Sequence, residues 1–219
     1  MVAALAYQTS LFAGGTVRVG SFAALERTWL DPASWVDVCR GWLGGADELF
    51  DELAHTLPWH QGRRPMYDRM VDEPRLSAVV SLERSHSVAG VLDVRDALAE
   101  HYDRDFDGAW ANWYRTGQDS VAWHGDRVGR HEADPVVALV SLGGPRRFLL
   151  RPTGGGGSLC FELHSGDLLV MGGRCQTRFE HAVPKMAKAR PRISVSFRHG
   201  QRTAPEWDWA PGRRIRPAE

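Results

Sequence analysis

Residues 136 to 171 read VVALVSLGGPRRFLLRPTGGGGSLCFELHSGDLLVM, and the reading of this stretch decides the fold class. Four β-compatible runs, Val136 to Leu142, Arg147 to Pro152, Gly157 to Leu163 and Asp167 to Met171, are set apart by Gly143-Gly144-Pro145, Gly154 to Gly157 and His164-Ser165-Gly166-Asp167. Short apolar or alternating runs bounded by Gly and Pro clusters are strands joined by tight turns. The same pattern extends outward to Ala109–Tyr114 and Ser120–His124 upstream, and to Arg178–Val183 and Arg192–His199 downstream, which makes eight strands. That set predicts a double-sheet jelly roll. The glycine quartet is not a phosphate loop, because neither a Lys-Ser/Thr pair nor a helical pattern comes after it.

Upstream the periodicity turns helical. From Asp47 to Leu57, residues Leu49, Phe50, Leu53 and Leu57 share one face before Pro58 stops the run, and a second helix is expected from Val91 to about Tyr102. A third helix is predicted from Asp31-Pro32 to about Gly41, with Asp31 as N-cap and Pro32 at the first helical position. Short strands are expected near Thr16 to Val19, at Glu26 to Leu30 and at Glu206-Trp207-Asp208-Trp209, whereas Trp59 to Ser87 reads as an irregular stretch. The class is therefore α+β, with the helices packed on one face of the larger sheet. Residues 1–219 read as one domain: helices and a lid over about 1–105, a jelly-roll core over about 106–200, and a tail over 201–219.

Composition narrows the function classes. With 219 residues, 43% of them apolar and 25% charged, the chain is long enough to bury a full core. Its formal net charge is zero, so no global field draws it to nucleic acid or to a membrane, and no run approaches a membrane span. A local asymmetry runs from Arg174 to Arg202, where eight basic residues face the single acid Glu180; this is either a solvated face or a phosphate-contacting rim. Cys39, Cys160 and Cys175 are odd in number and widely spaced, which fits a reducing cytoplasm rather than a disulfide framework. No targeting segment is read, and the chain is expected to be a monomer.

Polar residues of the second half carry the chemistry. His124 and Asp126 lie two apart, so on a strand they share one face, and His181 offers a second imidazole from another strand. Two His and one carboxylate make a facial triad that leaves open positions on a non-haem Fe(II), although the same donors also suit zinc with a bound water. Around Ile193-Ser194-Val195-Ser196-Phe197, alternation puts Arg192 and Arg198 on one face with two small hydroxyl residues between them. Guanidinium forks at that spacing suit a carboxylate-bearing ligand. Asn112 and Tyr114, again two apart, present an amide and a phenol opposite to Trp113.

In this order, Asn112-Trp113-Tyr114, His124-Gly125-Asp126, His181 and Arg192 through Arg198 resemble the AlkB family of Fe(II)- and 2-oxoglutarate-dependent dioxygenases. Further matches are Arg115-Thr116-Gly117-Gln118-Asp119, Val140-Ser141-Leu142-Gly143, Arg147-Phe148, Ser165 through Met171 and Ser196-Phe197-Arg198, with weaker likeness from about Asp47 to Ser77. The resemblance implies a double-stranded β-helix of the cupin-like type, with iron on His124, Asp126 and His181 and with 2-oxoglutarate on Asn112, Tyr114, Arg192 and Arg198. It also implies a reaction in which O2 and 2-oxoglutarate yield succinate and carbon dioxide while an N-methyl group of an alkylated DNA or RNA base leaves as formaldehyde.

One departure bears on the substrate. Repair members of the family stack the extruded base on lid aromatics, and base-working enzymes need such a pocket. Here the lid stretch supplies Met66, Tyr67, Met70 and Leu76, so Tyr67 is the candidate stacker with Met66 beside it. Alternatives are the same chemistry on a protein or small molecule, a zinc hydrolase, and a non-catalytic nucleic-acid binding module.

Overall fold

The computed structural model describes residues 16–66, 68–126 and 134–200. All eight expected strands form: β8 (Gly108–Tyr114), β9 (Val121–His124), β10 (Val137–Gly143), β11 (Arg146–Pro152), β12 (Leu159–Leu163), β13 (Leu168–Gly173), β14 (Phe179–Val183) and β15 (Arg192–Arg198). Four of them join a larger sheet in the order β13-β10-β15-β8, and the other four form a smaller sheet in the order β12-β11-β14-β9. Every pairing is antiparallel, and the chain passes repeatedly between the two layers, as a jelly roll requires.

Three upstream strands extend the larger sheet to seven. β2 (Glu26–Asp31) and β3 (Ser34–Cys39) add beyond β13, and β7 (Leu76–Val80) adds beyond β8. The short β1 (Arg18–Val19) and β4 (Leu43–Gly44) pair with each other. The helix expected from Asp31 to Gly41 is thus a β-hairpin. Asp31 Oδ1 accepts from the Ala33 amide at 2.7 Å, a contact that serves an Asx turn as readily as an N-cap. Past that turn the side chains alternate: Val36 and Val38 enter the core between the sheets, while Cys39 and Trp35 face the helices.

Both remaining helices form, α1 (Ala46–Thr56) and α2 (Ala89–Tyr102). Asp47 and Glu48 in the first turn of α1 complement its dipole, and Leu57, extended before Pro58, ends it. Leu49, Phe50 and Leu53 of α1 and Val91, Val94 and Leu98 of α2 pack with Ala138, Val140, Leu142, Ile193, Val195 and Phe197 on the outer face of the larger sheet. A second core, which includes Tyr114, Leu139, Phe148, Leu150 and Leu169, lies between the sheets. The larger sheet is therefore buried on both faces, and the even-numbered positions of β15 look into the roll.

The stretch from Trp59 to Ser87 is more regular than expected. β5 (Arg63–Met66) and β6 (Arg69–Asp72) form a two-stranded hairpin, and β7 lies next in the chain at the sheet edge. Pro65 and the run of arginines hide the strand pattern, since an isolated hairpin needs no apolar face of its own. Tyr67 and the strand expected at Glu206–Trp209 lie outside the described residues, as does the tail. No helix among the described residues is long and apolar enough to cross a membrane.

Gly172 fixes how β3 meets β13. It pairs with Trp35, and a Cβ there would fall inside van der Waals contact of the Trp35 indole. Gly172→Ala is expected to cost about 1–3 kcal/mol through forced displacement of the ring. Thermal or denaturant unfolding checks this; an unchanged midpoint would mean that the indole shifts freely.

Candidate metal and co-substrate site

Antiparallel pairing of β9 with β14 makes His124 and His181 register partners, which brings their rings to 4.3 Å between centroids. Asp126, two residues beyond the end of β9, turns its carboxylate to both: Oδ1 lies 3.9 Å from His124 Nε2 and 4.0 Å from His181 Nε2. One ligand atom from each of the three falls within 4.8 Å of the others, the one cluster of this kind among the described residues. The ring nitrogens are sorted as well. His124 Nδ1 sits 2.8 Å from the Ala122 carbonyl, an acceptor only, so the proton belongs on Nδ1 and the Nε2 lone pair points to the cluster.

Electrostatics put Asp126 and His181 in their ligand forms. Burial pushes the Asp126 carboxyl up, but Arg198, His181 and His124 together outweigh it and hold the group below the usual carboxylate range. Burial drives His181 down to about 4, against the opposing pull of Asp126, so its imidazole is neutral near pH 7. Phe148 stacks on the His181 ring at 5.1 Å and fixes its plane. His124, by contrast, keeps 41% of its side chain exposed and marks the open side of the cluster.

Gln176 holds the Asp126 backbone from behind. It lies on the short helix α3 (Cys175–Arg178), and its Oε1 accepts from the Asp126 amide at 3.2 Å, across fifty residues of sequence. Gln176→Leu keeps the bulk and removes the acceptor. Metal affinity is expected to fall roughly 10–100-fold, as for other outer-shell partners, with little loss of stability. Calorimetric titration with Fe(II) or Mn(II) under nitrogen measures it; unchanged affinity would show that the Asp126 loop holds itself.

Inside the roll, Arg192 is fully buried, and its Nε donates to Ser141 Oγ at 2.9 Å. Its two terminal nitrogens have no hydrogen-bond partner among the described residues. Tyr114, its register partner on β8, is also buried, with its ring 5.4 Å from the guanidinium carbon. Arg198 sits at the metal end, donating to Asp126 Oδ1 at 3.0 Å beneath the Trp110 ring, with its own Nε unpartnered. Asn112 Oδ1 accepts from Arg75 Nε at 2.9 Å and from Ser77 Oγ at 3.0 Å, which frees the Asn112 amide N–H groups for another acceptor. Arg75 in turn pairs with Glu73 at the base of the β5–β6 hairpin, so the hairpin is tied to Asn112.

Buried guanidinium N–H groups without acceptors are costly unless an anion completes them. A carboxylate-bearing molecule fits that need, and the two-imidazole, one-carboxylate donor set fits a divalent iron with positions left open. A family model described as the 2OG-Fe(II) oxygenase superfamily matches residues 79–215. The chain belongs to this superfamily. Fe(II), 2-oxoglutarate and dioxygen are therefore its cofactor and co-substrates.

Among curated relatives, alkB homolog 3 of Bos taurus is 30% identical over 188 residues, covering 75% of this chain and 66% of that one. The DNA oxidative demethylase ALKBH2 of Arabidopsis thaliana is 33% identical over 190 residues, covering 68% and 60%. The chain thus spans somewhat less than two thirds of the length of these relatives. The solved structure of OsALKBH1 superposes with a TM-score of 0.56 at 16% identity, over 80% of this chain and all of that one, and so shares the fold. The AlkB-family resemblance and the jelly-roll expectation both hold.

All seven metal and co-substrate candidates that carry the resemblance line one interior, His124, Asp126 and His181 at its mouth and Asn112, Tyr114, Arg192 and Arg198 along the larger sheet. The side chain of Met66 and the whole of Tyr67 lie outside what is described, so the lid candidates are not joined to the site. Sequence reading missed Arg75, Ser77, Ser141 and Gln176. Only Ser77 and Arg75 carried a local signal, as polar residues at the start of a strand that alternates.

Proposed function

We propose that this chain is an oxidative dealkylase of methylated bases in DNA or RNA, with iron held by His124, Asp126 and His181 and 2-oxoglutarate by Asn112, Tyr114, Arg192 and Arg198. The observation that carries the assignment of roles is the pairing of an ionised Asp126 and a neutral His181 at one end of the roll with unpartnered buried guanidinium groups behind them. The substrate class is supported by the names of the alkB homolog 3 and ALKBH2 relatives and by the β5–β6 hairpin, which exposes Arg69 and Met70 beside an Arg63–Asp72 ion pair, a cation and an apolar side chain that a nucleotide can meet.

Bound iron, with 2-oxoglutarate and dioxygen, supplies the oxidising power, and the protein's share is binding, orientation and exclusion of water. Arg198 neutralises the Asp126 carboxylate on its inner side, and Phe148 shields His181 from solvent. Arg192 and Tyr114 would receive one carboxylate of 2-oxoglutarate, and Asn112, fixed by Arg75 and Ser77, would offer it its N–H groups. Exposed His124 leaves the substrate side open. In the net reaction the N-methyl carbon is oxidised and leaves as formaldehyde, and 2-oxoglutarate is oxidised to succinate and carbon dioxide.

The test offers N-methylated single- and double-stranded oligonucleotides, methylated nucleosides and methylated peptides to the iron-loaded protein, with formaldehyde and succinate counted together. Stoichiometric formaldehyde from an oligonucleotide is the expected result. Coupled turnover only with a peptide or a free nucleoside would overturn the substrate class and leave the dioxygenase chemistry standing.

A further inference from the structure

Arg146 is the largest buried charge to which the proposed function gives no role. It opens β11 in the smaller sheet, is only 1% exposed, and lies with its guanidinium carbon 5.5 Å from the Tyr114 ring centroid. The guanidinium carbon of Arg192, in the larger sheet, lies 5.4 Å from the same ring centroid. One terminal nitrogen of Arg146 donates to the carbonyls of Thr116 and Asp119, whereas its Nε and its other terminal nitrogen have no partner among the described residues.

No carboxylate among the described residues hydrogen-bonds to either guanidinium of the pair. Asp119 offsets Arg146 in part, but it is shared with Arg115, which donates to it from its backbone amide and twice from its guanidinium. Burial, with a further contribution from Arg146, pushes Arg192 down to about 10, so the two guanidiniums feel each other. Arg198, at the other end of β15, is already engaged by Asp126 beside the metal cluster. Two buried guanidiniums against one shared carboxylate are thus concentrated at the end of the pocket remote from the metal.

We propose that Arg146 is a specificity-determining residue for the co-substrate: by doubling the buried positive charge around Tyr114 it makes the pocket demand a second carboxylate, and so selects 2-oxo-dicarboxylic acids over 2-oxo-monocarboxylic acids. Arg146 acts on the remote carboxylate through the field it adds to Arg192, in a water-poor interior where such charges are weakly screened. This role rests on the proposed assignment of 2-oxoglutarate to the same pocket.

Anaerobic titrations of the Fe(II)-loaded protein, read by the visible charge-transfer band of iron with a bound 2-oxo acid, compare 2-oxoglutarate with 2-oxopentanoate, which lacks only the second carboxylate. Wild type is expected to prefer 2-oxoglutarate by on the order of 100-fold or more, the scale of a charge-assisted bidentate contact. Arg146→Gln keeps an N–H donor for the Thr116 and Asp119 carbonyls and removes the charge, and it is expected to shrink that ratio about tenfold, by weakening 2-oxoglutarate while leaving 2-oxopentanoate nearly unchanged. Arg146→Lys, which keeps the charge, is expected to retain most of the ratio and stands in as the test of charge if the Gln variant fails to fold. Equal weakening of both ligands in either variant would make Arg146 a structural residue and overturn the inference. Wild type that binds neither 2-oxo acid would overturn the co-substrate assignment itself, a failure distinguishable from the first.

Discussion

Asp126→Ala is expected to abolish iron-dependent succinate formation and, in the same step, to destabilise the metal-free protein. The first effect comes from ligand count, because the remaining His124 and His181 supply no negative charge and too few donors to hold Fe(II) against water. The second comes from Arg198. That guanidinium is only 22% exposed, donates to Asp126 Oδ1 at 3.0 Å and has an Nε without a partner among the described residues, so loss of the carboxylate strands it. Removing one member of a buried pair costs about 3–5 kcal/mol, and at about 2–4 °C per kcal/mol for a chain of this size the melting temperature should fall by roughly 10 °C. Metal content after dialysis, succinate release and a thermal melt read the two effects separately. Retained iron with full turnover would sink the ligand assignment, and an unchanged melt would show that Arg198 reaches solvent or another acceptor. Asp126→Asn separates size from charge: it should lose iron equally while melting closer to wild type.

How much of the fold and site is legible in the sequence depends on whether a residue's neighbours along the chain betray its environment. β15 is legible because both of its faces are buried but in different ways, Ile193, Val195 and Phe197 against the helices and Arg192, Ser194 and Ser196 into the roll, so alternation survives in the residue types themselves. The same parity makes Asn112 and Tyr114 legible. β3 is not, since Asp31-Pro32 imitates a helix start and a single side-chain to amide bond satisfies either structure. The hairpin β5–β6 escapes because it packs little and therefore leaves no apolar period. Arg146 and Arg147 are indistinguishable as letters, yet the pleat sends one into the interior and the other to solvent, and only pairing with Leu163 and Glu162 decides which. Gln176 is invisible for a different reason: its partner is a backbone amide fifty residues away, and such a contact leaves no trace in either local pattern.

Arg192→Met should uncouple stability from function in opposite directions. Among the described residues of the metal-free, ligand-free protein, Arg192 has a hydrogen bond to Ser141 and two terminal nitrogens without a partner in a fully buried setting, and burial has already pushed its pKa down to about 10. Replacing such a charge by an apolar side chain of similar length is often stabilising by about 1–4 kcal/mol, so the variant is expected to melt several degrees above wild type. Its affinity for 2-oxoglutarate should fall by on the order of 100-fold or more, since a desolvated charge pair is worth about 2–5 kcal/mol when one partner is truncated. The gap must then narrow as ligand is added, and it reverses where the gain from losing the charge is below about 2 kcal/mol. Wild type at about a hundred times its dissociation constant gains about 2.7 kcal/mol, whereas the variant at the same concentration gains at most a few tenths. Melts of both proteins with iron, across a 2-oxoglutarate series, should therefore show wild type starting below Arg192→Met and gaining on it by about 2 kcal/mol. A variant less stable than wild type at zero ligand, or one stabilised by 2-oxoglutarate to the same extent, would mean that the Arg192 guanidinium is already satisfied within the fold and is not kept for the co-substrate.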